Sequence, residues 1–316
     1  MAEIASPPSL KPYTDESSLT GEAESYSAKL VDDEIPTVDY SMLFSNDPDQ
    51  ASLAIEHLGQ VCQDYGFFYL VNHQIPDEVL DTLFKGISEF FDPTTLEERR
   101  TYSKKDPTDR IRWGLNCSSG ENREYIKVIA HPQYHFPPNP SSFSDILGGY
   151  HKEMRKVVMG LAKAISKTLG LEESYIEKAF NLKSGFDVSA MNLYPPNYVS
   201  KGRIGLPDHT DPGFIVTLVQ DVNGGLQILS HKGDWINAYI PRHAILIQLG
   251  DHLERISVAT LHGPSLDKLL SPAPAFVNEE HPQAYLGMTY KQSLEASGAD
   301  EIDVQSSLDQ IRLLKV

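Results

Sequence analysis

Residues 215–229 read IVTLVQDVNGGLQIL, and this stretch decides the fold class of the chain. Two β-branched and apolar runs, Ile215–Val219 and Leu226–Leu229, flank a turn-forming segment rich in Asn and Gly. Similar runs recur at Ala244–Leu249 and Ile256–Leu261, separated by Gly, Asp and Pro. Short strands at this spacing are typical of an antiparallel β-sandwich or barrel. We therefore predict a mostly β core in this half of the chain.

The residues before this core predict helices and one apolar strand. Apolar spacing indicates a helix over 50–64 and a long helix over 147–169. A further helix begins near Asp77, which we expect to cap it, and Phe67–Val71 is a compact strand. The stretch 103–145 is polar and Pro-rich, and we expect either a loop over a pocket or a plain linker. The predicted organisation is thus a helical N-terminal part followed by a double-sheet β core.

Composition and charge exclude several classes of protein. The 316 residues include 27 basic and 44 acidic side chains, a net charge of −17, and no long Lys/Arg run suited to nucleic acid. Two cysteines, Cys62 and Cys117, are too few for a disulfide scaffold or a thiolate zinc site. The apolar runs are too short to span a membrane, and the first residues lack a signal-peptide pattern. We expect a monomeric cytoplasmic protein with a small-molecule substrate, no nucleic acid partner and no membrane association.

The sharpest chemical feature is the triplet His209-Thr210-Asp211. Residues i and i+2 of a strand point to one face, so the imidazole and the carboxylate can hold adjacent positions on one cation. Nitrogen and oxygen donors suit Fe(II), Mn(II) or Zn(II). Such pairs also occur by chance, and a surface turn is the alternative interpretation. Arg255 and Ser257 also share a strand face, where a guanidinium and a hydroxyl match a carboxylate; an ordinary surface ion pair is the alternative for Arg255.

Several ordered motifs together resemble the plant-type Fe(II)/2-oxoglutarate-dependent dioxygenases, which are isopenicillin N synthase-like. The resemblance rests on the residues above and on three further motifs: Ile35-Pro36-Thr37-Val38-Asp39, Tyr65-Gly66-Phe67-Phe68 and Met191-Asn192-Leu193-Tyr194-Pro195-Pro196. It implies an α+β fold with a mostly β core, a double-stranded β-helix (jelly roll) with N-terminal and flanking helices. The implied regions are an acidic disordered tail (1–34), an N-terminal helical region (35–145), a long helix and connection (146–185), the jelly-roll core (186–265) and a C-terminal wrap (266–316).

The resemblance also implies roles for individual residues. His209 and Asp211 would bind Fe(II), and no catalytic residue is expected beyond these ligands. Asn192 and Tyr194 would contact 2-oxoglutarate, the cosubstrate, and Arg255 and Ser257 would anchor its far carboxylate. Ascorbate is a candidate reductant, and the reaction would hydroxylate, desaturate or demethylate a small plant metabolite with O2. The implied minor roles are a structural turn at His73, a pocket-lining position at Leu261, and pocket or core positions at Trp113, Phe214 and Tyr285.

The chain departs from the family pattern at one place. The family's second iron-binding histidine precedes the Arg-x-Ser motif, but here Glu254 is followed directly by Arg255. We therefore predict that the core is shortened between 254 and 255 and has lost one strand together with that histidine. His243, His252 and His262 are poorly placed to replace it, because they lie near turns or beyond Arg255. The alternative function is accordingly a catalytically inactive truncated isoform or a metabolite-binding pseudoenzyme.

Overall fold

The computed structural model describes residues 35–105, 109–117, 122–140, 142–194, 205–207, 209, 211, 213–229, 235–249, 258–271, 274, 277–278, 282 and 286–296. The strands within these ranges are β1 (Thr37–Asp39), β2 (Phe67–Val71), β3 (Ile111–Cys117), β4 (Asn122–His131), β5 (Phe186–Leu193), β6 (Ile215–Val219), β7 (Leu226–Leu229), β8 (Trp235–Ala238), β9 (Ile245–Gln248), β10 (Val258–Gly263), β11 (Leu269–Leu270) and β12 (Met288–Thr289). The α-helices are α1 (Pro48–Asp64), α2 (Asp77–Phe90), α3 (Leu96–Arg99), α4 (Phe143–Thr168), α5 (Tyr175–Phe180) and α6 (Tyr290–Ala296). Among the described helices, none is long and apolar enough to cross a membrane.

A large sheet of eight strands forms the centre of the fold, in the order β1-β2-β9-β6-β10-β5-β4-β3. Only β1 and β2 pair in parallel within it; its other neighbouring strands are antiparallel. The strands from the first half of the chain form both edges of this sheet, and the later strands β5, β6, β9 and β10 form its middle. The N-terminal region is therefore built into the same sheet as the predicted core.

Two hydrophobic cores lie on opposite faces of the large sheet. On the outer face, α1, α2 and α4 pack on the sheet, and the apolar side of α4 is buried from Phe143 to Ile165. On the inner face, β7 and β8 pair into a small sheet whose Leu226, Ile228 and Ala238 pack against the large sheet. Two packed sheets with helices outside give the predicted sandwich architecture.

The predicted helices are largely confirmed. The helix predicted over 50–64 is α1, and the one predicted over 147–169 is α4, which begins a turn earlier at Phe143. The prediction that Asp77 caps α2 is wrong, because Pro76 occupies the cap position and the Asp77 side chain makes no capping bond. The Asp77 carboxylate instead lies 3.0 Å from Nδ1 of His243.

The prediction of a loop or linker over residues 103–145 is wrong for much of its length. β3 and β4 pair in antiparallel fashion from Ile111 opposite Val128 to Cys117 opposite Asn122. In β4, buried Ile126 and Val128 alternate with half-buried polar residues. This alternation of every second residue is typical of a strand, but the charged side chains on one face made it difficult to recognise in the sequence.

A buried ion pair ties this hairpin to the helical layer. Arg99 and Glu124 are almost fully buried, and their side chains meet at 2.5 Å (Nε to Oε1) and 3.1 Å (Nη2 to Oε2). Trp113 donates its indole N–H to the same carboxylate at 2.7 Å. The remaining Arg99 nitrogen donates to the carbonyl of Phe90, the last residue of α2, and to that of Asp92 just after it. Every charged atom is thereby bonded, which a buried ion pair requires in order to be tolerated.

A second polar cluster lies between α4 and the large sheet. His151 is buried there, stacks on Phe136 with the ring centroids 5.6 Å apart, and has no hydrogen-bond partner for Nε2 among the described residues. The nearby Asp187 carboxylate lies 3.1 Å from Nδ1 of His262 and also binds Arg155. Burial, together with the charge of His262, lowers the pKa of His151 to about 3, so this ring stays neutral in the folded protein.

Replacing His151 with Phe should make the protein less sensitive to acid. The unfolded chain protonates this histidine below about pH 6.5 and the folded chain does not, so its contribution to stability is lost as the pH falls from that value towards 3. At pH 5 the loss is about 2 kcal/mol. Urea unfolding at pH 7 and pH 5 should show a smaller difference for His151→Phe than for wild type and for the exposed control His57→Gln. An equal difference in all three proteins would contradict this.

Candidate active site

His209 and Asp211 lie together just before β6. Nε2 of His209 is 3.5 Å from Oδ1 of Asp211, and the two side chains are 15% and 14% exposed. Nδ1 of His209 lies 2.8 Å from the carbonyl of Pro207. If Nδ1 donates to this carbonyl, the lone pair of the neutral ring lies on Nε2, the atom nearest Asp211. The donors are close enough to bind one ion at about 2.1 Å from each.

The electrostatic environment of His209 is set by burial and by two charged neighbours. Burial lowers the pKa of His209, but the hydrogen bond to Asp211 and its negative charge outweigh this and raise the pKa overall. The positive charge of Arg123 lowers the pKa of His209. Arg123 therefore lies within electrostatic reach of His209, although it is on a strand far away in sequence.

Asn192 and Tyr194 are brought to the same region at the end of β5. Asn192 is buried, and its Oδ1 accepts a hydrogen bond from Arg123, which links it to the surroundings of His209. The ring of Tyr194 packs so closely on Gly205 that a Cβ there would lie 2.6 Å from it. Gly205 in turn accepts a backbone hydrogen bond from Asn122 at the start of β4. Only glycine permits this approach, which holds the segment before His209 against the ends of β4 and β5.

Arg255 and Ser257 lie outside the described residues, as does the predicted junction after Glu254. Their assignment to the far carboxylate of 2-oxoglutarate stays a prediction. β10 begins at Val258, directly after Ser257, and pairs with both β5 and β6. The structure thus brings Asn192, Tyr194, His209 and Asp211 into one region.

Two of the three alternative histidines already have other contacts. The buried ring of His262 has Nδ1 3.1 Å from Asp187 and Nε2 3.4 Å from the hydroxyl of Thr217. His243 lies between Asp77 and Asp81, at 3.0 and 2.8 Å from its two ring nitrogens. His252 lies outside the described residues. In the described part of the chain, no group of three His, Cys, Asp or Glu side chains is arranged to hold a metal ion. The described donors, His209 and Asp211, fit an iron ion only partly, since a facial triad needs three ligands.

The structural role predicted for His73 is confirmed by its contacts. Nε2 lies 2.6 Å from the carbonyl of His243, and Nδ1 accepts a hydrogen bond from the amide of Ile75. The preceding Asn72 has a left-handed backbone, with φ of 52°, and donates its side-chain amide to Asp39. These bonds join the end of β2 to the turn before β9.

The residues predicted to lie in a pocket or in the core differ in their surroundings where the structure describes them. Trp113 is buried on the helical side with its indole N–H on Glu124, so of its two predicted positions the core is the one observed. Phe214 is half-buried and contacts Phe180, with the ring centroids 5.3 Å apart. Tyr285 lies outside the described residues, and Leu261 is half-buried on β10 opposite Val188 and Val216.

Sequence reasoning missed a set of cations beside this region. Arg123 and Lys127 flank Tyr125 in β4, and Arg112 lies opposite Lys127 in β3. Tyr125 is itself opposite Asn192, so these residues share a sheet face with Asn192. The alternation of Arg123, Tyr125 and Lys127 was the available signal, but it fell in a stretch predicted to be irregular.

Comparison with known proteins identifies the family. A family described as the N-terminal region of a non-haem dioxygenase in morphine synthesis matches residues 35–137, and the 2OG-Fe(II) oxygenase superfamily matches residues 185–264. The rice protein 2-oxoglutarate-dependent dioxygenase 19 is 30% identical over 307 residues, 89% of this chain and 90% of that protein. Rice flavanone 3-dioxygenase 2 is 29% identical, covering 89% and 88% of the two chains.

A solved structure supports the same assignment at the level of fold. JOX2 in complex with 2OG, Fe and JA superposes with a TM-score of 0.77 at 22% identity, over 88% of this chain and 89% of that one. The α+β fold with a mostly β jelly-roll core is thereby confirmed. The chain therefore belongs to the 2-oxoglutarate-dependent dioxygenases, oxidoreductases that use Fe(II) and 2-oxoglutarate.

Proposed function

We propose that the region around His209 and Asp211 is the iron site and that the chain oxidises a small plant metabolite there. The observation that carries this proposal is the pair itself, an imidazole nitrogen and a carboxylate oxygen 3.5 Å apart and mostly shielded from water. Asn192 and Tyr194 would contact 2-oxoglutarate beside the metal, and Arg255 and Ser257 would bind its far carboxylate.

The protein's own contribution is binding, orientation and exclusion of water. Fe(II) and 2-oxoglutarate, when bound, supply the oxidising chemistry that converts a substrate C–H bond with O2. The contact between His209 and the Pro207 carbonyl orients the imidazole, and Asp211 supplies the negative charge that a cation needs. Gly205 and Tyr194 hold the ligand-bearing segment in place before substrate arrives.

The names of similar proteins support a proposal for the substrate class and the location. One relative is named as a flavanone 3-dioxygenase, and the solved JOX2 structure contains JA, so both names point to small plant metabolites. We propose a role in plant specialised metabolism and a cytoplasmic location for the monomeric chain. One relative is named as chloroplastic, so microscopy of a tagged full chain in plant cells is the deciding measurement for the compartment.

We also propose that the core is shortened between 254 and 255 and that the iron site lacks its third ligand. β9 and β10 both pair with β6 in antiparallel fashion, on its opposite edges, so they run parallel to each other. Only nine residues, 249–257, join the end of β9 to the start of β10. Connections between parallel strands usually need a dozen or more residues. The small sheet has two strands in the described part of the chain, which fits the loss of a strand that would extend it.

Substitution of the two ligands tests the proposed site. In anaerobic titrations with Fe(II) and 2-oxoglutarate, followed by the visible charge-transfer absorption, His209→Ala and Asp211→Ala should each weaken iron binding at least about ten-fold. The surface variant His57→Ala is the matched control and should titrate like wild type. Unchanged binding in both ligand variants, with folding verified by circular dichroism, would refute the assignment.

A further inference from the structure

A cluster of positive charge lines the inner face of β3 and β4, and we call Arg112, Arg123 and Lys127 the cationic wall. Arg123 and Lys127 lie two residues either side of Tyr125, and side chains at that spacing share a face of a strand. Arg112 lies directly opposite Lys127 on β3. Two cations therefore flank Tyr125 along β4, and a third lies opposite Lys127 on the same sheet face.

The cationic wall is part of the candidate active site and not of the helical core. Tyr125 is opposite Asn192 in the sheet register, and Arg123 donates a hydrogen bond to Oδ1 of Asn192. The neighbouring Glu124 points to the other face, where it binds Arg99. The wall therefore faces the space beside the residue that we assign to 2-oxoglutarate.

The geometry of Arg123 suits the recognition of a planar anion. Its guanidinium lies over the ring of Tyr125 with the central carbon 4.6 Å from the ring centroid, and the residue is 5% exposed. Stacking on an aromatic ring and bonding to Asn192 fix the plane of its donor groups, which lowers the entropy lost on binding a carboxylate. Nζ of Lys127 lies 5.8 Å from the same ring centroid and adds a second positive charge.

The sign of this patch contrasts with the rest of the chain. The full sequence carries a net charge of −17, so a generic surface patch is expected to be acidic. Concentrating cations beside a shielded site attracts anionic ligands and raises their association rate. The cosubstrate does not account for this charge, because its far carboxylate is assigned to Arg255 and Ser257.

We propose that the cationic wall binds the carboxylate of the substrate, so the oxidised metabolite is a small organic acid. This inference rests on the proposed function, because it names the substrate class of the same site. Arg123 is the main contact, and Arg112 and Lys127 strengthen the positive potential. The apolar part of the acid then lies towards the inner face of the sheet, near Leu261.

Calorimetric titration of matched acids and amides tests the proposal. The probes are indole-3-acetate and cinnamate, each compared with its primary amide, added to the full chain with Mn(II) and saturating 2-oxoglutarate. At least one acid should bind ten-fold more tightly than its amide, a difference of about 1.4 kcal/mol. Arg123→Gln should reduce binding of that acid to the level of its amide, and Arg123→Lys should retain part of it. Lys178→Gln removes an exposed positive charge elsewhere and should change nothing.

Each other outcome has a defined meaning. Equal binding of acid and amide, no binding of either acid at millimolar concentration, or an unchanged Arg123→Gln variant overturns the proposal. Displacement of the acid by 2-oxoglutarate also overturns it, since the wall would then serve the cosubstrate. If Arg123→Gln fails to fold, the half-buried Lys127→Gln should still weaken acid binding several-fold, and no weakening refutes the wall. Binding of the acid to a chain that binds neither metal nor 2-oxoglutarate would refute the proposed function and leave the wall intact.

Discussion

Insertion of the family's histidine-bearing segment between Glu254 and Arg255 should raise 2-oxoglutarate turnover by about a hundred-fold or more. Changes that only reorient metal ligands already cost about 10–100-fold in affinity or activity, and a missing ligand should cost at least as much. The insertion would give His209 and Asp211 the third donor that no described residue supplies. Succinate release with a panel of small plant metabolites, measured beside the chain as written, gives the comparison.

A matched insertion separates the metal ligand from the restored strand. The same segment with its histidine replaced by Ala should recover the fold and raise the melting temperature without recovering iron affinity. Two results would contradict the proposal: succinate release by the unmodified chain at the rate of the restored one, or a folded restored chain with no gain in iron affinity. Sequencing a transcript across the codons for Glu254 and Arg255 would show whether the short form is made by the cell.

Substitution of Glu124 should strongly destabilise the fold. Glu124→Leu leaves Arg99 buried without its carboxylate and deprives Trp113 of its hydrogen-bond acceptor. Breaking a buried pair in this way costs about 3–5 kcal/mol, a large part of a total stability of about 5–15 kcal/mol. Urea unfolding followed by circular dichroism should show the loss directly.

The control for this prediction is an ion pair of the same type at the surface. Glu97 and Arg100 meet at 2.7 Å, but their side chains are 82% and 49% exposed. Glu97→Leu should therefore change stability by less than about 1 kcal/mol. The double variant Arg99→Leu/Glu124→Leu should recover part of the loss, since no uncompensated charge remains. A Glu124→Leu protein as stable as wild type would show that the pair contributes little to the fold.

The sequence was most informative where one period of apolar residues dominated. β6 and β7 were predicted to the residue, and α2 has its predicted start, because buried side chains are continuous in β6, alternate in β7 and follow the helical period in α2. The hairpin of β3 and β4 was missed because Arg112, Arg123 and Lys127 occupy one face, and charges in a Pro-rich stretch resemble a loop. The local sequence pattern cannot show which strand lies beside β4, and the neighbouring strand decides which groups these charges face.

Site residues were predictable only as far as they were clustered in sequence. His209 and Asp211 are only two residues apart, so they lie close together although they precede β6 and the strand expected for them is not observed there. Arg123 reaches Asn192 across 69 positions, and only the pairing of β4 with β5 makes them neighbours. The cap prediction for Asp77 failed for a similar reason, because its carboxylate contacts His243 from the turn before β9.

The position of the N-terminal strands at both margins of the large sheet has a practical consequence. β2 pairs with β9 and β4 pairs with β5, so strands from the N-terminal half pair with strands from the C-terminal half on both sides of the sheet. If the gene were divided between α4 and β5, each fragment would have unpaired strand edges. We expect both fragments to remain sensitive to proteases until these edges pair with each other. Chimeras with homologous enzymes should therefore exchange loops only. A crossover between α4 and β5 would change both strand interfaces, β2 with β9 and β4 with β5, at the same time.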